Sequence, residues 1–276
     1  MSPSTDTREY RESACELKFL VNLATSEALR LWARTHLQPD PHSDGESGDG
    51  YRITSLYFDT EHFDVFHRRG SFGRSKYRVR RYGTGEIAFL ERKLKTKGLL
   101  AKRRSIVHLE RLGLLHGPTP VTDPDAFWFH RRLLARRLRP ICQITYRRTA
   151  RFALTDLGPI RMTLDDDLRA LPVQALACDE SRPAEAILPE HRVLELKFRG
   201  ELPGLFRSLL QEFSLAPKTF SKYRHAARTL GCVPATEPAA AVPHPHPDPD
   251  PAPVAGNGHL ALPQVATLST SGPTSA

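Results

Sequence analysis

Residues 76 to 95 read KYRVRRYGTGEIAFLERKLK, two alternating runs joined by a turn at Gly83 to Gly85. In an extended chain residues i and i+2 share a face, so Lys76, Arg78 and Arg80 lie on one side of the first run. Glu91, Lys93 and Lys95 share a side of the second, with Leu90 and Leu94 opposite. With Ala88 the turn also spells GxGxxA, a dinucleotide-binding pattern. It opens no helix and sits between two strand-like runs, so it reads as a hairpin turn. No GxxxxGK[ST] phosphate loop occurs in the sequence.

Outward from this hairpin, the same period-two alternation covers residues 14 to 21, 51 to 59, 74 to 83, 86 to 95, 99 to 109, 140 to 154, 159 to 168 and 191 to 199. Lys102 and Arg104 share a face, as do Tyr146 and Arg148. Arg161, Thr163 and Asp165 lie opposite Met162 and Leu164. ELKF occurs twice, placing Glu16 and Lys18 opposite Leu17 and Phe19, and Glu195 and Lys197 opposite Leu194, Leu196 and Phe198. Helical stretches interrupt the strands. Thr25 or Ser26 can cap SEALRLWARTHL, Asp123 with Pro124 opens DPDAFWFHRRLLARRLR, and Pro203 opens PGLFRSLLQEF. The arginines of the second helix read as the solvated side of an amphipathic helix on the outside of the fold. The class is α+β with an antiparallel sheet. Closed into a barrel of about eight strands, such a sheet turns its charged face into a lumen and packs its helices outside.

Composition bounds the rest. The 276 residues carry a formal charge of +9, but residues 233 to 276 hold 10 of the 23 prolines, three acids and no Lys or Arg. The first 232 residues therefore carry 40 bases against 28 acids. The expected organisation is a disordered start over 1–12, one folded domain over 13–232, and a disordered Pro-rich tail over 233–276. PDPHSDGESGDG at 39 to 50 reads as a surface loop, and the proline-spaced PHPHPDPDP at 243 to 251 closes no metal site. Cys15, Cys142, Cys178 and Cys232 form no CxxC pair and are expected to be thiols. No run approaches the roughly 20 apolar residues of a membrane span, and MSPSTDTREYRES lacks the pattern of a secretion signal, so the expectation is a cytoplasmic protein.

Nearly every strand brings a cation to its middle, and like charges facing one another across strands destabilise a sheet. An anionic ligand removes that conflict. Lysine is a point charge and arginine a planar fork, a mixture suited to a chain of phosphoryl groups. Carboxylates in such a cage make sense as ligands to Mg²⁺ or Mn²⁺, with phosphate oxygens completing the coordination. A nucleic-acid backbone is the less favoured anion.

At these residues the chain resembles the VTC domain, the polyphosphate polymerase module of the triphosphate tunnel metalloenzyme superfamily. The pieces fall in the family's order: ELKF at 16, SLYFDT at 55, KYRVRRY at 76, ERK at 91, KRR at 102, YRR at 146, RMTLD at 161, ELKF at 195 and SKY at 221. The resemblance as a whole runs from about Glu16 to Leu230. The resemblance implies an antiparallel barrel whose basic tunnel binds ATP, and a metal-dependent transfer of the γ-phosphoryl group to pyrophosphate or a growing polyphosphate chain. It implies catalytic roles for Arg78, Arg80, Arg148 and Arg161, phosphate binding by Lys18, Lys93, Lys102 and Lys222, and Mn²⁺ or Mg²⁺ on Glu195. Tyr57 and Asp59 are expected in the barrel wall or at the nucleotide end. Related tunnel enzymes open with ExExK, and Ala14 stands at the first Glu position, which argues against thiamine triphosphatase or class IV cyclase chemistry. Fungal members work in a membrane complex with SPX and transmembrane segments that this sequence lacks, which leaves room for a separate membrane partner. Two alternatives remain open: a tripolyphosphatase or nucleoside triphosphatase on the same fold, and a non-catalytic binder of polyphosphate or RNA.

Overall fold

The computed structural model describes residues 6 to 12, 14 to 41, 49 to 96 and 99 to 234. The chain divides into Met1–Ala235 and Thr236–Ala276. The second unit, which contains most of the Pro-rich tail, lies outside the described residues, as does most of the 39 to 50 loop.

The elements follow in the order β1 (Thr7–Glu12), β2 (Ala14–Asn22), α1 (Leu23–His36), β3 (Gln38–Pro39), β4 (Gly50–Asp59), α2 (Asp64–His67), β5 (Ser75–Tyr82), β6 (Ile87–Thr96), β7 (Leu99–His108), α3 (Pro124–Ala135), β8 (Arg139–Thr155), β9 (Gly158–Pro172), β10 (Glu185–Ala186), β11 (His191–Arg199), α4 (Gly204–Glu212) and α5 (Lys222–Thr229). All eight alternating runs are strands. Residues 7 to 12, expected in the disordered start, instead form β1 on β7. Helix α1 begins earlier than Thr25, because the Asn22 side chain accepts the Thr25 N–H at 2.8 Å and caps the first turn. Asp123 caps α3 as expected, accepting the Asp125 N–H at 3.0 Å, with Pro124 in the first turn.

The strands form one antiparallel sheet in the order β1-β7-β6-β5-β4-β8-β9-β11-β2, with β3 on β8 and β10 on β9. The hydrogen-bonded path has two ends, so the described sheet is open rather than the closed barrel expected. Its two end strands are consecutive in the chain, separated by residue 13 alone: the first pairs with β7 and the second with β11. The sheet is nevertheless strongly curled. Lys93 of β6 and Glu16 of β2 are six strand steps apart along the path, about 29 Å if the sheet were flat. Their side chains meet at 3.1 Å.

Apolar residues of the convex face meet the helices. Leu29, Trp32 and Ala33 of α1 and Phe206 and Leu209 of α4 pack with Phe19, Met162, Leu164, Leu194 and Leu196. Trp128, Phe129 and Leu133 of α3 pack with Tyr77, Val79, Leu90 and Val107. Each such fully buried side chain contributes roughly 1.5 to 3 kcal/mol over leaving it in water. Helix α5 lies on the other face, at one end. Tyr223 stacks on Tyr57 at 5.7 Å between centroids, and Tyr57 stands opposite Arg78 in the register of β4 and β5. Asp59 fixes this corner: it accepts the N–H groups of Thr60, Val65 and Phe66 at 2.8 Å and the Tyr223 hydroxyl at 2.5 Å, joining α2 to α5. Asp59, expected in the wall or at the nucleotide end, is here a structural acceptor at the end of β4. Cys142 is buried and the other three cysteines are partly buried, and all four are thiols.

Candidate functional site

Register decides which side chains share the concave face. Lys93 on β6 stands between Lys76 on β5 and Lys102 on β7, and Glu91 between Arg78 and Arg104. On the opposite wall Arg148 faces Asp165, while Glu195 stands between Lys18 and Thr163 and Lys197 between Glu16 and Arg161. The alternation read from the sequence thus becomes a lining of cations with acids set among them.

Two nests result. In the first, Glu195 lies 3.2 Å from Lys197, 3.2 Å from Lys222, 3.3 Å from Lys18 and 4.0 Å from Arg148. Asp165 completes it, taking a two-pronged contact from Arg148 at 2.6 and 2.8 Å and the Lys222 ammonium at 2.6 Å. In the second, Glu91 receives Arg78 at 2.6 Å, Arg104 at 2.5 Å and Lys102 at 3.8 Å. Arg80 lies between them, donating to the Ser55 hydroxyl at 3.2 Å and the Tyr146 hydroxyl at 3.1 Å. Tyr146 joins Arg80 to the first nest, since the Arg148 guanidinium lies 5.4 Å and the Lys222 ammonium 5.1 Å from its ring centroid. Lys93 joins β6 to β2 through Glu16. Arg161 shares the face but stands apart from both nests, donating to Asp40 and to the Tyr51 hydroxyl. Arg148 is buried and Arg147 exposed.

The electrostatics follow from this crowding. Burial alone would push the Glu195 carboxyl up, but Lys222, Lys197, Lys18 and Arg148 outweigh it and hold the group well below the usual range. Glu91 is treated likewise by Arg78, Arg80, Arg104 and Lys102, and is also depressed. For Glu16, burial and the charge of Glu195 oppose ionisation, yet Lys18, Lys197 and Lys93 pull it down to about 2. Lys76 shows the reverse. Burial and the charges of Lys18, Lys93 and Arg78 lower its ammonium to about 8, against the pull of Glu16. For Tyr82, burial would raise the phenol, but Arg80, Arg104 and Arg78 bring it to about 8, and its hydroxyl accepts from Arg104 at 3.1 Å.

Of the residues expected from the sequence, Lys18, Arg148, Lys222 and Glu195 come together in one nest and Arg78 and Lys102 in the other, with Arg80 and Lys93 beside them. Further residues, among them Glu16, Lys76, Glu91, Arg104, Tyr146, Asp165 and Lys197, line the same face without having been assigned a role. Their signal was the alternation itself, which put each on the charged side of its strand.

A metal can be tested against these donors. Among the described residues no cluster of three or more His, Cys, Asp or Glu side chains is arranged to hold one. The Lys18 ammonium, however, lies 3.0 Å from Glu16 and 3.3 Å from Glu195, so two carboxylates already converge on one cationic position. Hard oxygen donors of this kind fit Mg²⁺ or Mn²⁺ if phosphate oxygens supply the remaining ligands. They do not form a cage that would hold the ion alone.

No curated protein matches the chain. Among solved structures it is similar to an adenylate-cyclase-like protein of Bacillus halodurans, with 18% identity, a TM-score of 0.45, and coverage of 78% of this chain and 95% of that one. The adenylyl-cyclase-like protein HpAC1 of Hippeastrum, described as having a dominant triphosphatase activity, shares 13% identity at a TM-score of 0.42, again over 78% and 95% of the two chains. The PH1819 protein of Pyrococcus horikoshii shares 11% identity at a TM-score of 0.40, over 78% and 99%. These likenesses carry no inference about activity. The model of the VTC domain matches residues 13–231, most of the chain and the whole of the charged face just described. The chain therefore belongs to the VTC domain family.

Proposed function

We propose that this protein is a metal-dependent polyphosphate polymerase that transfers the γ-phosphoryl group of ATP to pyrophosphate or a growing polyphosphate chain. The observation that supports it most is the concave face of a VTC domain lined by more cations than carboxylates, with each carboxylate held in ion pairs that phosphate oxygens can replace. The curl of the sheet, which brings Lys93 of β6 to Glu16 of β2, gathers these cations around one concave channel.

Phosphoryl transfer through a loose transition state needs alignment and neutralised charge rather than a protein nucleophile. In this reading Arg78, Arg80, Arg148 and Arg161 hold the transferring group in line with the acceptor, their planar forks matching its equatorial oxygens. Lys18, Lys93, Lys102 and Lys222 hold the flanking phosphates of nucleotide and chain. The acceptor phosphate is already ionised, so no general base is required. Glu195, with Glu16 beside it, would hold Mg²⁺ or Mn²⁺, which supplies charge neutralisation on the phosphate oxygens. Among the described residues no helix is long and apolar enough to cross a membrane.

The test is to incubate the purified protein with ATP, Mn²⁺ and a little pyrophosphate, resolve polyphosphate on a stained gel and assay free phosphate. A ladder of chains that disappears in Glu195→Gln is the expected result. Orthophosphate alone would replace the polymerase with a hydrolase, and binding of polyphosphate without turnover would leave a non-catalytic receptor.

A further inference from the structure

Outside the concave face, three arginines gather where α2 meets α5. Arg224 and Arg228 are four residues apart on α5 and so lie on one side of that helix, about 6 Å from each other. Both guanidinium groups lie over the ring of Phe66 in α2, at 5.3 and 5.8 Å from its centroid. Arg68 ends α2 in a left-handed backbone conformation, φ 61°, and adds its charge to the same place. None of the three has a carboxylate within salt-bridge distance among the described residues, and the Arg224 Nε is buried without a hydrogen-bond partner. Burial, then Arg68, then Arg228, disfavour the charge on Arg224 and lower its pKa.

Elsewhere in this protein clustered arginines are matched: Arg78 and Arg104 share Glu91, and Arg148 has Asp165. Here the ring of Phe66 offsets part of the repulsion, and no carboxylate among the described residues does. A guanidinium held over a ring by its charge can still offer N–H donors to planar oxygen pairs, the arrangement arginine uses for phosphate. Three positive charges in one place call for an anion of more than one charge. Two adjacent phosphoryl groups are long enough to bridge the spacing of the pair on α5.

We propose that Arg68, Arg224 and Arg228 form a second anion site, outside the tunnel, that takes a short phosphate chain of di- or triphosphate size. An anion there ties α2 to α5. Because α5 also carries Lys222 into the nest of Asp165 and Glu195, the occupant steadies the helix that reaches the active face. The site stands on its own geometry and does not depend on the polymerase reading.

Calorimetric titration of the full chain with tripolyphosphate, without metal, tests it. Two binding events per chain are expected. Arg228→Glu, a change at an exposed position, should remove one of them, weakening it about tenfold or more, while the second persists. Arg80→Ala, on the concave face, should remove the other. Arg224→Gln, nearly the same shape without the charge, should reproduce the loss if Arg228→Glu fails to fold. A single event abolished by Arg80→Ala and untouched by Arg228→Glu would overturn the proposal. So would binding of a single-stranded oligonucleotide that depends on Arg228 and that tripolyphosphate does not displace, which would make the patch a nucleic-acid surface.

Discussion

The Lys222 ammonium, in the first turn of α5, lies 2.6 Å from the carboxylate of Asp165 on β9. Both groups are buried, and Asp165 also holds Arg148 by two contacts. The last helix is therefore fastened to the concave face by a charge pair that shares its acid with a candidate catalytic arginine.

Replacing Asp165 by Asn would leave two buried cations with only Glu195 between them. Removing one partner of a buried ion pair commonly costs about 3 to 5 kcal/mol, because the remaining charge has no compensation. Asp165→Asn should lower the thermal midpoint by several degrees, more than Glu16→Gln does. Added tripolyphosphate should restore much of the loss, since it supplies the missing negative charge. Scanning calorimetry with and without tripolyphosphate measures both effects, and an unchanged midpoint would show that the pair contributes nothing.

Arg80 makes its two contacts with neutral hydroxyls, Ser55 and Tyr146, and among the described residues no acid lies in hydrogen-bond contact with it. Neutral partners hold a guanidinium less strongly than a carboxylate does, so Arg80 can exchange these contacts for a phosphoryl group at smaller cost than Arg148, which is bound to Asp165. Arg80→Ala is expected to lower kcat by at least about a hundredfold while KM for ATP changes less, the pattern of an interaction made in the transition state. Steady-state kinetics read this, and a rise in KM alone would reassign Arg80 to ground-state binding.

Glu195 competes with any anion for Lys18, Lys197 and Lys222. Glu195→Gln should therefore abolish metal-dependent turnover and at the same time strengthen metal-free binding of tripolyphosphate, by about tenfold if one such charge contact is relieved. Loss of binding together with turnover would mean that the carboxylate orders the lysines rather than opposing the ligand.

Glu16 gives a test of stability in acid. Its folded pKa is held at about 2 against an ordinary 4.5. The stability this contributes is fully present above about 4.5 and is lost as pH falls through 2, because the unfolded chain takes up the proton first. Thermal midpoints between pH 6 and 2 should fall more steeply for the wild type than for Glu16→Gln.

The strands were legible because a two-residue period survives translation into a sheet without loss. Every charged position on KYRVRRY and ELKF landed on the face that its spacing required. The openness of the strand path was not legible, since it turns on whether β1 pairs beyond β7, and TREYRE offers no apolar alternation to reveal even that it is a strand. The cap of α1 was misplaced for a local reason: Asn22, Thr25 and Ser26 are all good caps, and only the backbone shows that Asn22 holds the N–H. Asp165 and Lys197 were visible on charged faces, but their pairing with Arg148 and Glu195 joins residues far apart in sequence, which spacing within one strand cannot reveal.

Lys76 supplies the prediction that separates electrostatics from shape. It stands directly opposite Lys93, which in turn faces Lys102, and its pKa is lowered from 10.5 to about 8. Between those two values the unfolded chain binds the proton that the folded chain has released, so this group makes stability rise as pH goes from 8 to 10.5. A polyanion acts in the opposite sense. It favours the ammonium and raises its pKa, so tripolyphosphate binding near pH 8 should take up protons, and affinity should fall as pH rises above 8. Calorimetry in buffers of different ionisation enthalpy measures the uptake directly. Lys76→Gln should bind more weakly at pH 7 and show a smaller proton uptake at pH 8, with Tyr82, held at about 8 as well, accounting for the part that remains. Proton uptake unchanged in Lys76→Gln would mean that Lys76 does not sense the ligand and that the lysine row on β5, β6 and β7 lies outside the phosphate path.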